Sequence, residues 1–166
     1  MEKILEIKRY PDPVLRKKSS PVHEITPKEQ KLFEDMLLTM NICGGIGLAA
    51  PQVGISKQII AINLDNEIVK LANPKVLKTK GADKMTEGCL SVPDMNIEIK
   101  RPYEITVGGL NEKGQYVEIK AKGLLARAIQ HEIDHLNGKL ILDYSSLLKK
   151  IFYSRKNAAR KSKTPL

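Results

Sequence analysis

The run "LLARAIQHEIDHLNG", residues 124 to 138, restricts the possible architectures of this chain more than any other stretch. Its apolar residues recur at helical spacing and Gly138 follows as a C-terminal stop, so it reads as one amphipathic helix. Two of the three histidines in the chain, His131 and His135, lie in it four residues apart. On a helix that spacing stacks both imidazoles on one face, where they converge on a single point. A divalent cation fits that point. Glu132, one residue round the helix, misses the ion as a ligand but reaches a water beside it, which suits a general base. A catalytic centre of this kind needs a third protein ligand, so another part of the chain has to fold onto this helix.

Nothing downstream supplies that ligand. Position 141, where the long-motif zinc proteases would place a further His, is Ile141, and no Glu follows Glu132. Upstream the candidates are Cys89, Cys43, His23 or a carboxylate. Cys43 closes an apolar helix just before Gly44 and Gly45 and reads as a buried, inert thiol. Cys89 sits in "TEGCLSVP", where Gly88 lets the backbone approach closely and the polar neighbours argue against core filling. Cys89 is therefore the choice. A thiolate with two imidazoles is a soft donor set, suited to zinc, iron(II), cobalt or nickel rather than magnesium or calcium.

Elsewhere, "TPKEQKLFEDMLLTM" forms a second helix: Thr26 is its N-cap, Pro27 opens the first turn and Glu29 closes a capping box. Leu32, Phe33, Met36, Leu37 and Met40 mark its buried face. A glycine-rich loop, "GIGLAAPQVG", follows, and then β-rich pieces at 58 to 64, 67 to 74, from Asn96 and from Tyr103. "NEKG" turns the chain into "QYVEIKA". Runs of strands between helices predict an α+β fold, with antiparallel or mixed sheets packed around the metal-binding helix and a further helix at the C-terminus. With 166 residues the chain suits one domain. The absence of Trp makes the core aliphatic. There is no run of apolar residues long enough to span a membrane and no signal-peptide pattern, so the expected setting is the cytoplasm, with no membrane partner.

Three stretches together resemble the peptide deformylases of bacterial type: "GIGLAAPQ" (45 to 52), "EGCLS" (87 to 91) and "QHEIDH" (130 to 135), in order and at suitable separations. "PDPVLRK", "GLLARAIQ" and "LNGKLILD" are similar to that family as well, so the likeness extends to about Asp143. It implies a metal-dependent hydrolase that removes the formyl group from the N-terminal formyl-methionine of nascent polypeptides and releases formate. In that reading Cys89, His131 and His135 hold one divalent metal per chain, with Fe(II) expected and Zn, Ni or Co able to take its place. Glu132 takes a proton from the attacking water and later passes it to the departing amine. The side-chain amide of Gln52 and the backbone N–H of Leu90 meet the oxyanion. Gly45, Gly47 and Gly88 let an extended peptide lie close by, with Gly47 binding its main chain. The methionine side chain needs an apolar socket, for which Leu124 and Ala128, seven and three residues before His131, lie on the right side of the helix, with Ile46 to close it.

Arg127 stands where relatives have an apolar residue, and is expected at the pocket rim through its aliphatic stem. Glu87 and Arg101 are expected to orient the ligands from behind; Asp134 reads as a surface ion pair. The remaining signal is charge. Of the net +9, seven basic residues from Lys149 to Lys163 follow the last acidic one, Asp143, which leaves +2 for the rest. Residues 1–143 thus read as a single catalytic domain and 144–166 as a basic amphipathic helix and tail, suited to ribosomal RNA near the emerging peptide. Two rival functions use the same features: a metallopeptidase with an HExxH site, and a catalytically silent RNA-binding relative.

Overall fold

The first helix, α1 (Pro27–Ile42), starts where its capping residues put it. The Glu29 carboxylate accepts from the Thr26 N–H at 3.1 Å, and the Thr26 hydroxyl accepts from the Lys28 N–H at 3.3 Å. The computed structural model describes residues 3–161. In chain order the strands are β1 (Gly47–Ala49), β2 (Ile59–Leu64), β3 (Glu67–Lys80), β4 (Asp83–Glu87), β5 (Ile97–Arg101), β6 (Glu104–Leu110) and β7 (Tyr116–Lys122). Helix α2 (Gly123–Leu136) and a C-terminal helix α3 (Leu147–Lys161) complete the architecture. Five strands form one sheet in the order β1-β2-β3-β6-β7, and β4 and β5 form a separate hairpin. Every pairing between these strands is antiparallel.

The large sheet is covered on both faces. Along β2, Ile60 and Ile62 pack with Leu125, Ala126 and Ile129 of α2. Ile59 and Ala61 pack with Phe33, Met36 and Met40 of α1. The unbroken apolar run "IIAI" follows from this, since a strand between two layers has no solvent face on which to alternate. A third cluster joins Ile97 and Ile99 of the hairpin to Leu15, Leu140, Ile141 and Leu142. It holds the hairpin against the far end of α2. Gly138 (φ +71°) ends that helix in the left-handed region, and a Cβ there would fall on the carbonyl of Arg16.

Three local expectations are revised, and one strand is new. The glycine-rich segment is not all loop: residues 47–49 pair with β2 as β1. Residues 83–87 are a strand, which their charged sequence does not announce. The strand beginning at Glu67 runs on through Pro74 to Lys80, because Asn73 takes a left-handed conformation (φ +52°) and the register shifts around Pro74, which has no N–H to offer the ladder. Cys43 is exposed, not buried. It caps α1 three residues beyond the last core contact, Met40, where Gly44 (φ +70°) turns the chain away.

Among the described residues, no helix is long and apolar enough to cross a membrane. Helix α3 rests on the body through Tyr153, 5% exposed, whose hydroxyl donates to the carbonyl of Pro93 at 2.8 Å. Its Leu147, Leu148 and Phe152 point outward, Leu148 being 80% exposed. The amphipathic pattern is present in the helix, but its apolar arc faces away from the core.

Candidate active site and metal centre

On α2 the two histidines do stack on one face. His131 Nε2 and His135 Nε2 lie 3.3 Å apart, and Cys89 Sγ, from the loop after β4, is 3.2 Å from His135 Nε2. All three ligand atoms fall within 4.8 Å of one another. His23, the other histidine weighed as a ligand, is exposed in the segment before α1. Tetrahedral coordination by one sulfur and two nitrogens sets donors roughly 3.3–3.6 Å apart, so the observed spacing fits a small divalent cation. Two imidazole nitrogens facing each other at this distance need a cation or a proton between their lone pairs. The other ring nitrogen of His135, 1% exposed, has no protein partner.

His131 is oriented from behind. Its Nδ1 lies 2.9 Å from Glu87 Oε2, which directs Nε2 toward His135 Nε2. Burial would raise Glu87, but hydrogen bonds from His131, Arg101 and Arg127 hold its carboxyl down to about 2. Burial pulls His131 down, yet the hydrogen bonds of Cys89 and Glu87 leave it well above its ordinary value. His135 is pushed well below, by burial and by the charge on His131. A cation held between the two rings competes with protons for these ring nitrogens.

Glu132 is 4% exposed, with Oε2 unpartnered and Oε1 against Gly47, where a Cβ would collide with it. Burial raises its carboxyl to about 7, against the pull of His131 and Arg101. It lines a cleft of about 410 Å³. Gly45, Ile46, Gly47 and Gln52 form one wall, Gly88, Cys89 and Leu90 the other, and Leu124, Arg127, Ala128 and His131 of α2 lie along the floor. His135 lies beneath that surface. Gln52 is pinned as well as placed: Oε1 accepts from the Ala49 N–H at 2.8 Å, which turns Nε2 toward Ser91 Oγ (3.2 Å) and Cys89 Sγ (3.6 Å).

Two side chains depart from expectation. Arg127 is not a rim residue, since it is 3% exposed and its guanidinium is committed to Glu87, Asp83 and the Ile99 carbonyl. Asp134 is not a surface pair, since it accepts from the buried Arg101 at 2.9 Å and from the Tyr144 hydroxyl at 2.7 Å. Asp83 and Tyr144 carry no local signal of these roles, because their partners are distant in sequence.

The family model described as polypeptide deformylase matches residues 4–151. The peptide deformylase of Halothermothrix orenii is 50% identical over 142 residues, 84% of this chain and 92% of that protein. That of Thermodesulfovibrio yellowstonii is 44% identical over 163 residues, 95% and 99% of the two chains. Among solved structures, the peptide deformylase from Ehrlichia chaffeensis in complex with actinonin superposes with a TM-score of 0.91 at 40% identity, covering 99% of this chain and 100% of that one. The enzyme from Legionella pneumophila gives 0.89 at 38% identity, covering 98% and 100%.

Proposed function

This chain belongs to the peptide deformylase family and is a hydrolase that removes the N-formyl group of formylated nascent peptides in a metal-dependent reaction; on that premise we propose how its own residues do so. Cys89, His131 and His135 hold the metal, and Glu132 moves the protons. The observation that carries this reading is the convergence of one sulfur and two imidazole nitrogens beside a buried carboxylate at the floor of a cleft. The metal, when bound, supplies Lewis acidity that makes a water nucleophilic near neutral pH. Fe(II) is the proposed native ion, and the same soft donors accept zinc, nickel or cobalt.

Glu132 takes the proton of the attacking water as that oxygen adds to the formyl carbon. The burial that raises its carboxyl makes it a stronger base than a solvated glutamate. Charge then develops on the formyl oxygen, where the Gln52 Nε2–H and the Leu90 N–H donate. Gln52 is held for this by the Ala49 N–H, so little reorganisation accompanies the bond change. Glu132 returns the proton to the amine nitrogen as the carbon–nitrogen bond breaks, and formate leaves. The peptide lies along Gly45 and Gly47 by its main chain and passes close to Gly88. Its methionine side chain enters the socket made by Ile46, Leu124 and Ala128.

Residues 1–143 act as the catalytic unit and 144–166 as an attachment segment for ribosomal RNA, in the cytoplasm. The exposed Lys149, Arg155 and Lys156 and the charge excess beyond Asp143 support this. Formate release from a formyl-Met peptide by protein purified without oxygen, with metal counted and Glu132→Gln alongside, tests the chemistry. Activity with one metal per chain, lost in the variant with metal retained, is expected. Full activity in Glu132→Gln would refute the proton-transfer role, and loss of the metal with Cys89 intact would refute the ligand set.

A further inference from the structure

The three ligand atoms come from two pieces of the fold. Cys89 lies in the connection between β4 and β5, and His131 and His135 ride on α2. Their mutual placement depends on how the hairpin sits against the helix, and that seam is charged. Glu87 lies at its centre. Its Oε2 faces His131 Nδ1 at 2.9 Å and accepts from Arg101 Nη2 at 2.9 Å; its Oε1 accepts from Arg101 Nε at 2.6 Å and Arg127 Nη1 at 2.7 Å. Arg101 belongs to the same hairpin as Glu87 and crosses to α2 at Asp134 (2.9 Å), beside His135. Arg127 spans the seam from the helix side. It projects from α2 one turn before His131, and each of its acceptors is on the hairpin: Glu87, the Ile99 carbonyl at 2.8 Å, Asp83 Oδ1 at 2.6 Å and the Asp83 carbonyl at 3.2 Å.

We infer that Arg127 is a positioning residue for the metal centre: its guanidinium holds the β4–β5 hairpin in register on α2, so that Glu87 meets His131 Nδ1 and Cys89 meets the two imidazoles. The inference rests on the reading that Cys89, His131 and His135 are the ligands. A planar fork reaches two carboxylates and a carbonyl from two separate nitrogens, where an ammonium would have to serve all three from a single point. Stability is a poor explanation for so costly a residue. Taking an arginine and the Glu87 carboxylate out of water is expensive, even with Asp83 a third exposed, and apolar side chains of similar volume often serve a core equally well or better. Geometry at the seam is what an apolar side chain fails to supply. Residues that orient ligands in this indirect way typically change metal affinity by about 10–100-fold when removed.

The test compares the full-length wild-type protein with Arg127→Met, each loaded with Co(II), whose visible spectrum reports coordination geometry and thiolate ligation. The rate of Co(II) loss to a chelator and the thermal midpoint of the metal-free protein are read alongside. The wild type should show a thiolate-to-cobalt band; its absence would overturn the ligand assignment itself. Given that band, Arg127→Met should lose cobalt about 10–100-fold faster with an altered spectrum. A wild-type spectrum and loss rate in Arg127→Met would overturn the inference, whatever happens to the thermal midpoint. Should Arg127→Met fail to fold, Asp83→Asn decides. It keeps both arginines and Glu87 but removes one ionic anchor, and should speed cobalt loss several-fold; an unchanged rate there would overturn the inference.

Discussion

Gly47→Ala separates the needs of the fold from those of the reaction. A Cβ built on Gly47 falls on Glu132 Oε1 and lies 3.0 Å from Cδ and 3.1 Å from Cγ of the same side chain. All three atoms belong to one side chain, so the overlap can be relieved by swinging the carboxylate away by about an ångström. For the fold this is inexpensive. Gly47 is in a strand, needs no left-handed backbone, and alanine there restricts the unfolded chain, so stability should change by less than about 1 kcal/mol. For catalysis the same movement displaces the group proposed to carry the proton, and a misplacement of about 1 Å commonly costs on the order of 10²-fold in rate. The expected fall in kcat/KM is therefore about 10²-fold, close to 2.7 kcal/mol of transition-state stabilisation. Formate release from a formyl-Met peptide, with metal content and thermal midpoint measured on the same preparation, makes the comparison. Activity within about threefold of wild type, at full metal content, would refute both the steric argument and the role given to Glu132.

Gln52→Ala should lower kcat by about 10²–10³-fold, since it removes the proposed oxyanion donor, and steady-state kinetics with metal content checked will show it. Glu29→Gln keeps the capping geometry but removes the charge paired with Lys57. Hydrogen bonds from Lys57 and Thr26 hold Glu29 down to about 2 against 4.5 unfolded. Its stabilisation is thus complete above about pH 4.5 and lost as pH falls through 2. Discounted for solvent screening at the helix end, the variant should be less stable by about 1–2 kcal/mol at pH 7, and urea titrations should show the difference vanishing by pH 2. Gly138→Ala forces a left-handed alanine against the Arg16 carbonyl, and should cost about 2 kcal/mol, roughly 4–8 °C in thermal midpoint. Deleting residues 154–166 should abolish salt-sensitive pelleting with ribosomes; pelleting that is unchanged, or indifferent to salt, would remove the tail from that role.

What was legible in the residues was whatever short-range physics controls. The spacing of His131 and His135, the capping box at Thr26 and Glu29, and the stop at Gly138 are relations within a few positions. Each gave a correct element or face because a helix repeats within four residues. Cys89 stood partly within reach, since the missing downstream ligand required an upstream one and the glycine before it marked a close approach. The resemblance of three motifs to a family then carried the activity.

Other features depend on partners far away in the chain. Residues 83–87 look like a charged loop until β5 pairs with them, and β1 is a strand only because β2 lies beside it. Arg127 reads as a pocket rim because arginine is ordinarily solvated; two carboxylates and a carbonyl about 30 to 45 residues away are what make its burial tolerable. Cys43 follows an apolar helix face yet turns outward, and the apolar arc of α3 faces solvent while Tyr153 holds the body. Local pattern states which side chains prefer to leave water. Which neighbour receives them is settled by packing, because burial and charge compensation are sums over contacts that only the folded chain brings together.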